Sequence, residues 1–297
     1  MKNQIGNSLA VILALVLGIG CTQSAPAQTF KRVNVKGGVA LVQIAAGGAS
    51  VWARANNGNP YILKGKQFVL ANSINLSQIA VGGGNALQAD AVWGLDYSDN
   101  IYSATRSGST WVFSKVPGAL GLIAVGPGYH DNCHPYEVWG LDISSQIFRY
   151  NFCGKTFDQV PGSLISLAVG GGDMWGTNSN GAIFRFNFAT GSFDQLPGTL
   201  TQITVGPNGL WGLFDTQIYE FYDNIQNFSQ LPGVLVDLHA GGDGVWGLTS
   251  SGQIFRLEPS TSTFVQIPGI LARISVGSGG GVWGINGAKE AYWFSTP

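Results

Sequence analysis

The stretch His130-Asp131-Asn132-Cys133-His134 is the densest set of metal-ligating side chains in the chain. Thiolate and imidazole groups at this spacing could bind a metal ion. Two histidines four residues apart share a face only on a helix, however, and the nearby Gly128 and Pro135 favour a loop. Cys153 offers another partner, because both cysteines fall at the open end of one predicted hairpin. We therefore predict a Cys133–Cys153 disulfide in preference to free thiols or a metal site.

Two further sets of polar residues recur at matching places after a repeated tryptophan. An Asp or Asn three residues after it offers acceptors and donors for the vicinal hydroxyl groups of a sugar. An Arg further on could bind acidic or hydroxyl groups. The structural alternative is that Asp and Asn set a hairpin turn while Arg stacks on its neighbours. The predicted ligand-binding residues are Asp96, Asp142, Asn178, Asn286, Arg149, Arg185 and Arg256.

Support for catalysis is weak in this sequence. His239 lies in a predicted strand beside no nucleophile or paired acid. Glycine runs such as 82–84 recur at a turn in every repeat and precede no helix, so they differ from phosphate-binding loops. We expect a protein that is not an enzyme and that uses no metal or other cofactor.

A sequence repeat positions all of these residues. Its motif, Leu-x-x-Ile/Leu-x-Val/Ala-Gly/Ala, occurs seven times and leads each time to a tryptophan, which Gly follows in six copies. Ile-Phe/Tyr-Arg and Phe-x-Gln-x-Pro-Gly segments come next in the best copies. The repeats begin at Leu41, Leu76, Leu120, Leu164, Leu200, Leu235 and Leu271, and their tryptophans are Trp52, Trp93, Trp139, Trp175, Trp211, Trp246 and Trp283.

Each period of about 36 residues contains four short β-type runs bounded by turn residues, which is typical of a propeller blade. In the fourth repeat the predicted strands cover 164–169, 173–178, 182–187 and 192–196. No sustained helical periodicity occurs after the first 27 residues. The sequence therefore predicts an all-β fold, a single β-propeller of four-stranded antiparallel blades over residues 28–297.

The two ends of the chain predict how this propeller closes. The last repeat stops before its fourth strand, and Thr29-Phe30-Lys31-Arg32-Val33 resembles that missing strand. We expect the N-terminal strand to complete the last blade and remove its open edge. The blades would then begin near residues 41, 76, 120, 164, 200, 235 and 271. This gives seven blades, or six if the degenerate first repeat forms none.

Two repeats of 44 residues carry insertions before their tryptophan, at 85–90 and 129–137. Both should be enlarged loops on one face of the ring, and loops often carry function. The repeated tryptophans are expected to pack between blades. Trp111 and Trp293 lie outside the repeated position, and for these two both exposure and burial stay open.

Residues 1–27 are typical of an export signal, with Lys2, an apolar run over 9–19 and a small-x-small site at Ala25-Pro26-Ala27. The run is too short to span a bilayer comfortably, and no other apolar stretch is long enough to span a membrane. We predict a secreted or extracytoplasmic protein whose mature chain inserts into no membrane. The alternatives are lipid anchoring at Cys21 and an uncleaved anchor.

Only 10% of residues are charged and the net charge is −1, so the chain lacks a basic footprint for nucleic acid. The order Pro-Gly-x-Leu-x-x-Ile-x-Val-Gly, Val-Trp-Gly, Ile-Phe/Tyr-Arg resembles the tectonin repeat family over residues 41–294, most closely over 161–269. That resemblance to tectonin- and tachylectin-like lectins implies binding of bacterial surface polysaccharide or O-methylated sugars. We therefore predict a secreted lectin with shallow glycan sites repeated between blades. The alternative is an extracellular protein-interaction propeller that uses the loops 85–90 and 129–137.

Overall fold

A computed structural model describes residues 29–84, 88–128, 132–207 and 209–295. The predicted export signal at 1–27 with Cys21, and the loop residues 85–87 and 129–131, lie outside this range. The regular elements of the described chain are twenty-eight β-strands. No helix long and apolar enough to cross a membrane occurs in this part of the chain.

The second to sixth repeats each form a four-stranded antiparallel sheet in which the strands follow sequence order. The strands of the second repeat are β6 (Leu76–Gly82), β7 (Ala91–Asp96), β8 (Asn100–Ser107) and β9 (Thr110–Ala119). Those of the third are β10 (Leu122–Pro127), β11 (Tyr136–Leu141), β12 (Gln146–Asn151) and β13 (Thr156–Ser163). Those of the fourth are β14 (Ser166–Gly170), β15 (Asp173–Thr177), β16 (Ala182–Asn187) and β17 (Ser192–Thr199).

The fifth and sixth repeats have the same arrangement. The strands of the fifth are β18 (Gln202–Gly206), β19 (Gly209–Phe214), β20 (Gln217–Tyr222) and β21 (Asn227–Val234). Those of the sixth are β22 (Asp237–Gly241), β23 (Gly244–Leu248), β24 (Gln253–Glu258) and β25 (Thr263–Ile270).

The first and last repeats share one eight-stranded sheet that also contains the N-terminal strand β1 (Thr29–Val35). The first repeat contributes β2 (Leu41–Ala46), β3 (Val51–Ala55), β4 (Pro60–Lys64) and β5 (Gln67–Leu70), and the last contributes β26 (Arg273–Val276), β27 (Val282–Ile285) and β28 (Ala291–Ser295). Strand β1 pairs antiparallel with β28, from Thr29 opposite Ser295 to Val33 opposite Ala291. It then pairs parallel with β5 over two residues. The N-terminal strand thus takes the place of the missing fourth strand of the last repeat, as predicted.

The first strand of each repeat lies innermost and contacts the first strand of the next repeat, and β26 contacts β2. The sheets therefore form a propeller around a central channel, with a cavity of about 430 Å³ lined by these inner strands. Small residues at the ends of the inner strands permit this close approach. A Cβ added at Gly170, for example, would lie 2.7 Å from the carbonyl oxygen of Val205 on the neighbouring inner strand.

In the fourth repeat the predicted strands differ from the observed ones mainly at two ends. The first strand begins at Ser166, because Leu164 is buried and its N–H donates to the Ser145 carbonyl. The fourth strand continues through Pro-Gly to Thr199, with a shift of register opposite Ala182 and Ile183. Gly198 has a φ of +103°, which side chains with a Cβ rarely adopt. The Pro-Gly motif is therefore a bulge inside the last strand.

The Leu…Trp-Gly signature is a packing unit. The indole of Trp139 is fully buried and packs edge to face on Phe186 of the next repeat, with ring centroids 4.7 Å apart. Leu120 of its own repeat lies over Gly140, where an added Cβ would approach Leu120 Cδ1 to 2.3 Å. Truncating a buried tryptophan of this kind typically costs about 3–5 kcal/mol. The motif recurs because each interface between repeats needs this plug.

Candidate functional site between repeats four and five

The antiparallel order of strands gives the ring two different faces. One side of the ring carries the connections between first and second strands and between third and fourth strands, and we call this side the 1–2 face. The 2–3 face carries the hairpins between second and third strands. The described parts of the two insertions, 88–90 and 132–137, belong to the 1–2 face, since both precede a second strand.

The predicted Asp and Asn residues lie at the hairpins of the 2–3 face, where they shape the turns. In the third repeat Asp142 Oδ1 accepts hydrogen bonds from the N–H groups of Ser144 and Gln146, at 2.9 and 2.8 Å. In the fourth repeat Asn178 Oδ1 accepts in the same way from Asn180 and Ala182, at 3.0 Å each. The structure gives these side chains a turn-forming role, and a contact with sugar stays a prediction.

Two further members of this set follow the pattern. Asn286 Oδ1 accepts from the N–H of Glu290 at 2.9 Å. Asp96 accepts from the N–H groups of Ser98 and Asn100, and from the Asn100 amide and the Tyr102 hydroxyl. Burial raises the pKa of Asp96, but these hydrogen bonds lower it more, so that it lies below its ordinary value. Asp96 thus remains ionised as the centre of its turn.

The predicted arginines lie towards the other face, on the third strands opposite the repeated tryptophans. Arg149 pairs with Trp139, Arg185 with Trp175 and Arg256 with Trp246. Each tryptophan is three strand positions from the Asp or Asn position of its repeat, a separation of about 10 Å. The structure therefore does not bring the two predicted sets together within a repeat.

At the junction of repeats three and four, the arginine site is closed. Arg149 Nε donates to Glu137 at 2.8 Å, and the Trp139 indole N–H donates to the same carboxylate at 2.7 Å. Phe186 and Phe188 of the fourth repeat cover the guanidinium, with ring centroids 5.9 and 5.3 Å from Arg149 Cζ. The side chains of Glu137 and Arg149 are only 1% and 14% exposed. The Trp139 indole N–H and the Glu137 carboxylate thus have partners inside the protein, and the guanidinium is largely covered, which leaves little to bind a ligand.

At the junction of repeats four and five, the same residue types form an open cleft. Arg185 donates to Asp173 at 2.8 Å and to Asp223 of the fifth repeat at 3.4 Å, while its guanidinium lies over the Trp175 ring at 5.1 Å. The side chains of Arg185 and Asp173 are 33% and 30% exposed, and Asp223 is largely exposed. Charged donors and acceptors are thus accessible from the 1–2 face.

The floor of this cleft is Trp175, whose ring is 2% exposed. Its indole Nε1 is buried and has no hydrogen-bond acceptor in the described part of the chain. A cavity of about 290 Å³ is lined by residues that include Trp175, Asp173, Asp223, Phe221, Pro207 and Gly209. Leaving a buried N–H without a partner costs about 1–3 kcal/mol. We refer to this site as the open cleft.

The fifth and sixth repeats depart from both patterns. In the fifth, Glu220 replaces the arginine opposite Trp211 and accepts a 2.6 Å hydrogen bond from the Tyr222 hydroxyl, which raises the pKa of Tyr222. The Trp211 Nε1 also has no acceptor among the described residues. In the sixth, Arg256 lies over Trp246 at 5.5 Å, and the Trp246 N–H donates to the Asp243 carbonyl at 3.2 Å.

The acidic partners Glu137, Asp173 and Asp223 were not predicted as site residues. A usable sequence pattern exists for two of them, since an acid stands two residues before the repeated tryptophan in the third and fourth repeats. Asp223 belongs to a neighbouring repeat, so its contact with Arg185 follows from ring geometry and not from local spacing.

The predicted disulfide between Cys133 and Cys153 is present. The Phe152 N–H also donates to the Cys133 carbonyl at 3.0 Å, so the inserted loop of the third repeat is tied to its third strand. The Tyr136 hydroxyl donates to the Ala89 carbonyl at 2.8 Å, which joins this loop to the inserted loop of the second repeat. Among the described residues, no group of three or more His, Cys, Asp or Glu side chains is placed to hold a metal ion.

The inserted loop of the second repeat also has a framework role. Asp90 Oδ1 accepts from the N–H groups of Gly48 and Gly84, at 2.8 and 2.9 Å. Its Oδ2 accepts from the Ala49 N–H at 3.1 Å and from the Ser50 hydroxyl at 2.6 Å. One carboxylate thus connects the first and second repeats on the 1–2 face.

Six of the seven repeated tryptophans are at most 5% exposed, in agreement with packing between repeats. Trp293 is 38% exposed, and Trp111 is partly buried. Both line a second, larger cavity of about 820 Å³ where the seventh, first and second repeats meet.

Comparisons with known proteins support the repeat architecture. In structure, the chain is similar to YCF48 bound to D1 peptide (TM-score 0.66, 14% identity, 92% of this chain and all of the other). It is also similar to YCF48 from Cyanidioschyzon merolae (TM-score 0.63, 13% identity, 90% and 98% covered) and to human WBSCR16 (TM-score 0.60, 9% identity, 86% of each chain). At these identities the likeness concerns the fold alone. No curated protein sequence matches the chain.

The sequence profile described as the Tectonin domain matches residues 28–191 and 166–296, which together span nearly the whole chain. This agrees with the resemblance found in the repeated motifs and with the ring of β-sheets. The chain therefore belongs to the Tectonin domain family.

Proposed function

We propose that the protein is an exported lectin that binds a glycan in the open cleft between repeats four and five. One observation carries the proposal. The buried indole N–H of Trp175 has no acceptor in the described chain, and it lies in a cleft that also presents Asp173, Asp223 and Arg185. A buried donor and two carboxylates line one small cavity, and Arg185 bonds both carboxylates beside it. This arrangement suits a ligand that both donates and accepts hydrogen bonds at close spacing.

A sugar ring meets this requirement. A hydroxyl oxygen can accept from the Trp175 N–H, and neighbouring hydroxyl groups can donate to the carboxylates of Asp173 and Asp223. A hydrogen bond from the Trp175 N–H to the sugar would satisfy a donor that has no acceptor in the described chain. Since no hydrogen bond within the protein is broken to form it, more of its free energy would favour binding than at a donor that already has a partner. Phe221 supplies an apolar wall for the C–H face of the ring.

The differences between repeats suggest that working sites are fewer than repeats. At the junction of repeats three and four the Trp139 N–H is bonded within the protein, and among the described residues the buried indole N–H groups without an acceptor are those of Trp175 and Trp211. The affinity of one molecule for a surface glycan would then depend on few sites. On a repetitive surface, a gain in avidity would come from neighbouring copies of the protein as much as from several sites on one ring.

We further propose seven blades. The eight-stranded sheet divides into β2–β5 and β26–β28 with β1, since the strand pairing between the halves consists of two parallel residue pairs, Asn34 with Gln67 and Val35 with Phe68. Each half then has four antiparallel strands, like the other five sheets.

Export is proposed from the leader-like residues 1–27, and the Cys133–Cys153 disulfide supports it, because such bonds persist mainly in oxidising compartments. We propose binding without catalysis and without a cofactor.

A protein-interaction propeller is the second candidate function. The Tyr136–Ala89 hydrogen bond joins the two inserted loops, which favours one continuous patch on the 1–2 face. A protein of the same fold, YCF48, is described as bound to D1 peptide. This alternative predicts that function depends on the inserted loops and not on the open cleft.

Screening the purified protein on an array of bacterial polysaccharides and O-methylated sugars tests the proposal. The decisive variant is Asp223→Ala, whose exposed side chain can be removed with little effect on folding, and the matched control is Asp158→Ala on an exposed strand of the third repeat. We expect binding to a related set of glycans, weakened at least about tenfold by Asp223→Ala and unchanged by Asp158→Ala. Absence of glycan binding, or equal binding by both variants, would favour the protein-interaction alternative.

A further inference from the structure

A second candidate site lies where the ring closes. The cavity of about 820 Å³ on the 1–2 face is lined by Trp283 and Trp293 of the last repeat, Lys64 of the first, and Arg106 and Trp111 of the second. We call it the seam groove. It has nearly three times the volume of the open cleft, at 820 against 290 Å³, so it can hold more than one ring of a chain-like ligand.

Partly exposed tryptophans line the seam groove, whereas the tryptophan of the open cleft is only 2% exposed. The ring of Trp293 stacks on Trp283 at a centroid distance of 6.1 Å and an interplanar angle of 27°, and its side chain is 38% exposed. Trp111 packs edge to face against the buried Trp52 at 4.8 Å, which fixes its orientation. A tryptophan face held in place by a neighbour and open on the groove side is a stacking platform for the C–H face of a pyranose.

Each of these two tryptophans has a basic residue directly across the strand pair. Lys31 lies opposite Trp293, and Arg106 lies opposite Trp111. Residues directly opposite in an antiparallel pair extend to the same side of the sheet, about 5 Å apart. Lys31 and Arg106 are exposed, as is Lys64 at the turn between them. Lys64 and Arg106 therefore line the groove together with the tryptophans, and Lys31 lies next to Trp293 outside the lining.

The distribution of charge along the chain favours the same sector. Residues 29–110 contain seven basic and three acidic residues, a net charge of +4, whereas residues 111–297 contain seven basic and thirteen acidic residues, a net charge of −6. The near-neutral total thus conceals a basic sector that includes most of the seam groove. Such a field attracts a polyanion to this sector and repels it from the acidic remainder of the ring.

One carboxylate, Asp90, also lines the groove. Both of its oxygens are occupied by hydrogen bonds from Gly48, Ala49, Ser50 and Gly84, so that four donors of the protein already stabilise its charge. It serves to hold the groove wall in place. Among the described residues, the groove-lining Lys64 and Arg106 and the neighbouring Lys31 form no ion pair with an acid.

We propose that the seam groove binds an acidic polysaccharide, a chain of uronic acid residues, by stacking its rings on Trp293 and Trp111 and pairing its carboxylates with Lys31, Lys64 and Arg106. The carboxylates of a uronic acid chain recur at the spacing of the sugar rings, which suits a groove where cations flank aromatic faces. The proposal does not depend on the open cleft, which has the opposite charge and lies in the acidic sector.

Titration calorimetry with a linear oligogalacturonate tests this site, and the fully methyl-esterified oligosaccharide serves as the uncharged control. We expect the acid form to bind at least about tenfold more tightly than the ester, and salt to weaken it. Arg106→Glu and Lys64→Glu should each reduce affinity about tenfold or more, whereas Lys115→Glu, the same kind of change outside the groove, should not. Trp293→Ala should reduce affinity for both forms, and Trp293→Tyr should restore part of it, with thermal unfolding as a check on the fold.

No binding of the oligogalacturonate, or equal affinity for the ester, would overturn the proposal. Poly-glutamate that binds more tightly than the oligosaccharide and is insensitive to Trp293→Ala would also overturn it, in favour of an acidic protein partner. Asp223→Ala distinguishes the two sites, because it should leave oligogalacturonate binding unchanged whether or not the open cleft binds a glycan.

Discussion

The junction between repeats three and four and the junction between repeats four and five each contain a tryptophan, an arginine and an acid at matching positions. Of these two junctions, the second is open. In the closed junction Glu137 accepts from both Arg149 and Trp139, and Phe188 covers the guanidinium. In the open cleft Asp173 accepts from Arg185 but not from Trp175, whose N–H has no acceptor among the described residues.

Two small changes account for this difference. The acid is one methylene shorter in the fourth repeat, so its carboxylate bonds the arginine and leaves the indole without a partner. The residue at the position of Phe188 in the fifth repeat is Asp223, which places a charge where the closed junction has an aromatic cover. One framework motif therefore serves as a packing plug at one junction and as a candidate site at the next.

Neutralising the acid should give the largest difference in stability between the closed junction and the open cleft. Glu137→Gln leaves a nearly buried arginine without its charge partner, so we expect a loss of about 3 kcal/mol or more in the free energy of unfolding. Asp173→Asn affects a pair that is about one-third exposed, and should cost less than about 1 kcal/mol. Urea denaturation of both variants measures the difference. Equal losses would contradict the distinction between closed and open junctions.

Removing the disulfide should be the next largest effect. The bond closes a loop between residues 20 apart, and replacing both cysteines by serine should cost about 3 kcal/mol. Because the bond lies in the third repeat, glycan affinity at the open cleft should stay within about twofold of wild type under native conditions. Urea denaturation and glycan titration test the two parts separately, and a large loss of affinity would show that the open cleft depends on the third repeat.

Substituting the two tryptophans by phenylalanine isolates the indole N–H. In Trp139→Phe the buried Glu137 loses a donor, and we expect a cost of about 1–2 kcal/mol beyond the change in packing. In Trp175→Phe only an N–H without an acceptor is lost, so stability should change less while glycan affinity falls about tenfold. Thermal unfolding and glycan titration provide the readouts. Unchanged glycan affinity in Trp175→Phe would remove the main argument for the open cleft.

Converting one junction towards the other should have the smallest effect on stability. Asp223→Phe supplies the aromatic cover that Phe188 provides in the closed junction, so the open cleft should close and lose its glycan, with a stability change within about 0.5 kcal/mol. Asp223→Asn, which keeps the size of the side chain, is the matched control and should retain part of the binding. If Asp223→Phe binds like wild type, access through this position is not required.

Much of the fold could be predicted from local sequence. The Leu…Trp-Gly motif, the four β-type runs and the likeness of Thr29–Val33 to a fourth strand all depend on short-range patterns, and the strands follow them closely. The Cys133–Cys153 disulfide was predictable because both cysteines flank one hairpin.

The candidate sites could be predicted only in part, because their residues come from different repeats. Arg185 was identified, but its contact with Asp223 joins residues 38 apart across a junction. The recurring Asp and Asn residues looked suited to sugar, yet recurrence here reflects a turn that every blade needs, as at Asn178. The seam groove unites Lys31, Arg106 and Trp293 only after the ring has closed, a juxtaposition that no local pattern contains.

The most direct test of the glycan-binding account is the ¹H–¹⁵N spectrum of the indole N–H groups of the nine tryptophans, assigned through tryptophan-to-phenylalanine variants. Titration with a glycan identified on the array should shift the Trp175 resonance and leave that of Trp139 in place, because only the former N–H is free to donate to a ligand. A saturating glycan that leaves the Trp175 resonance unmoved would contradict the account.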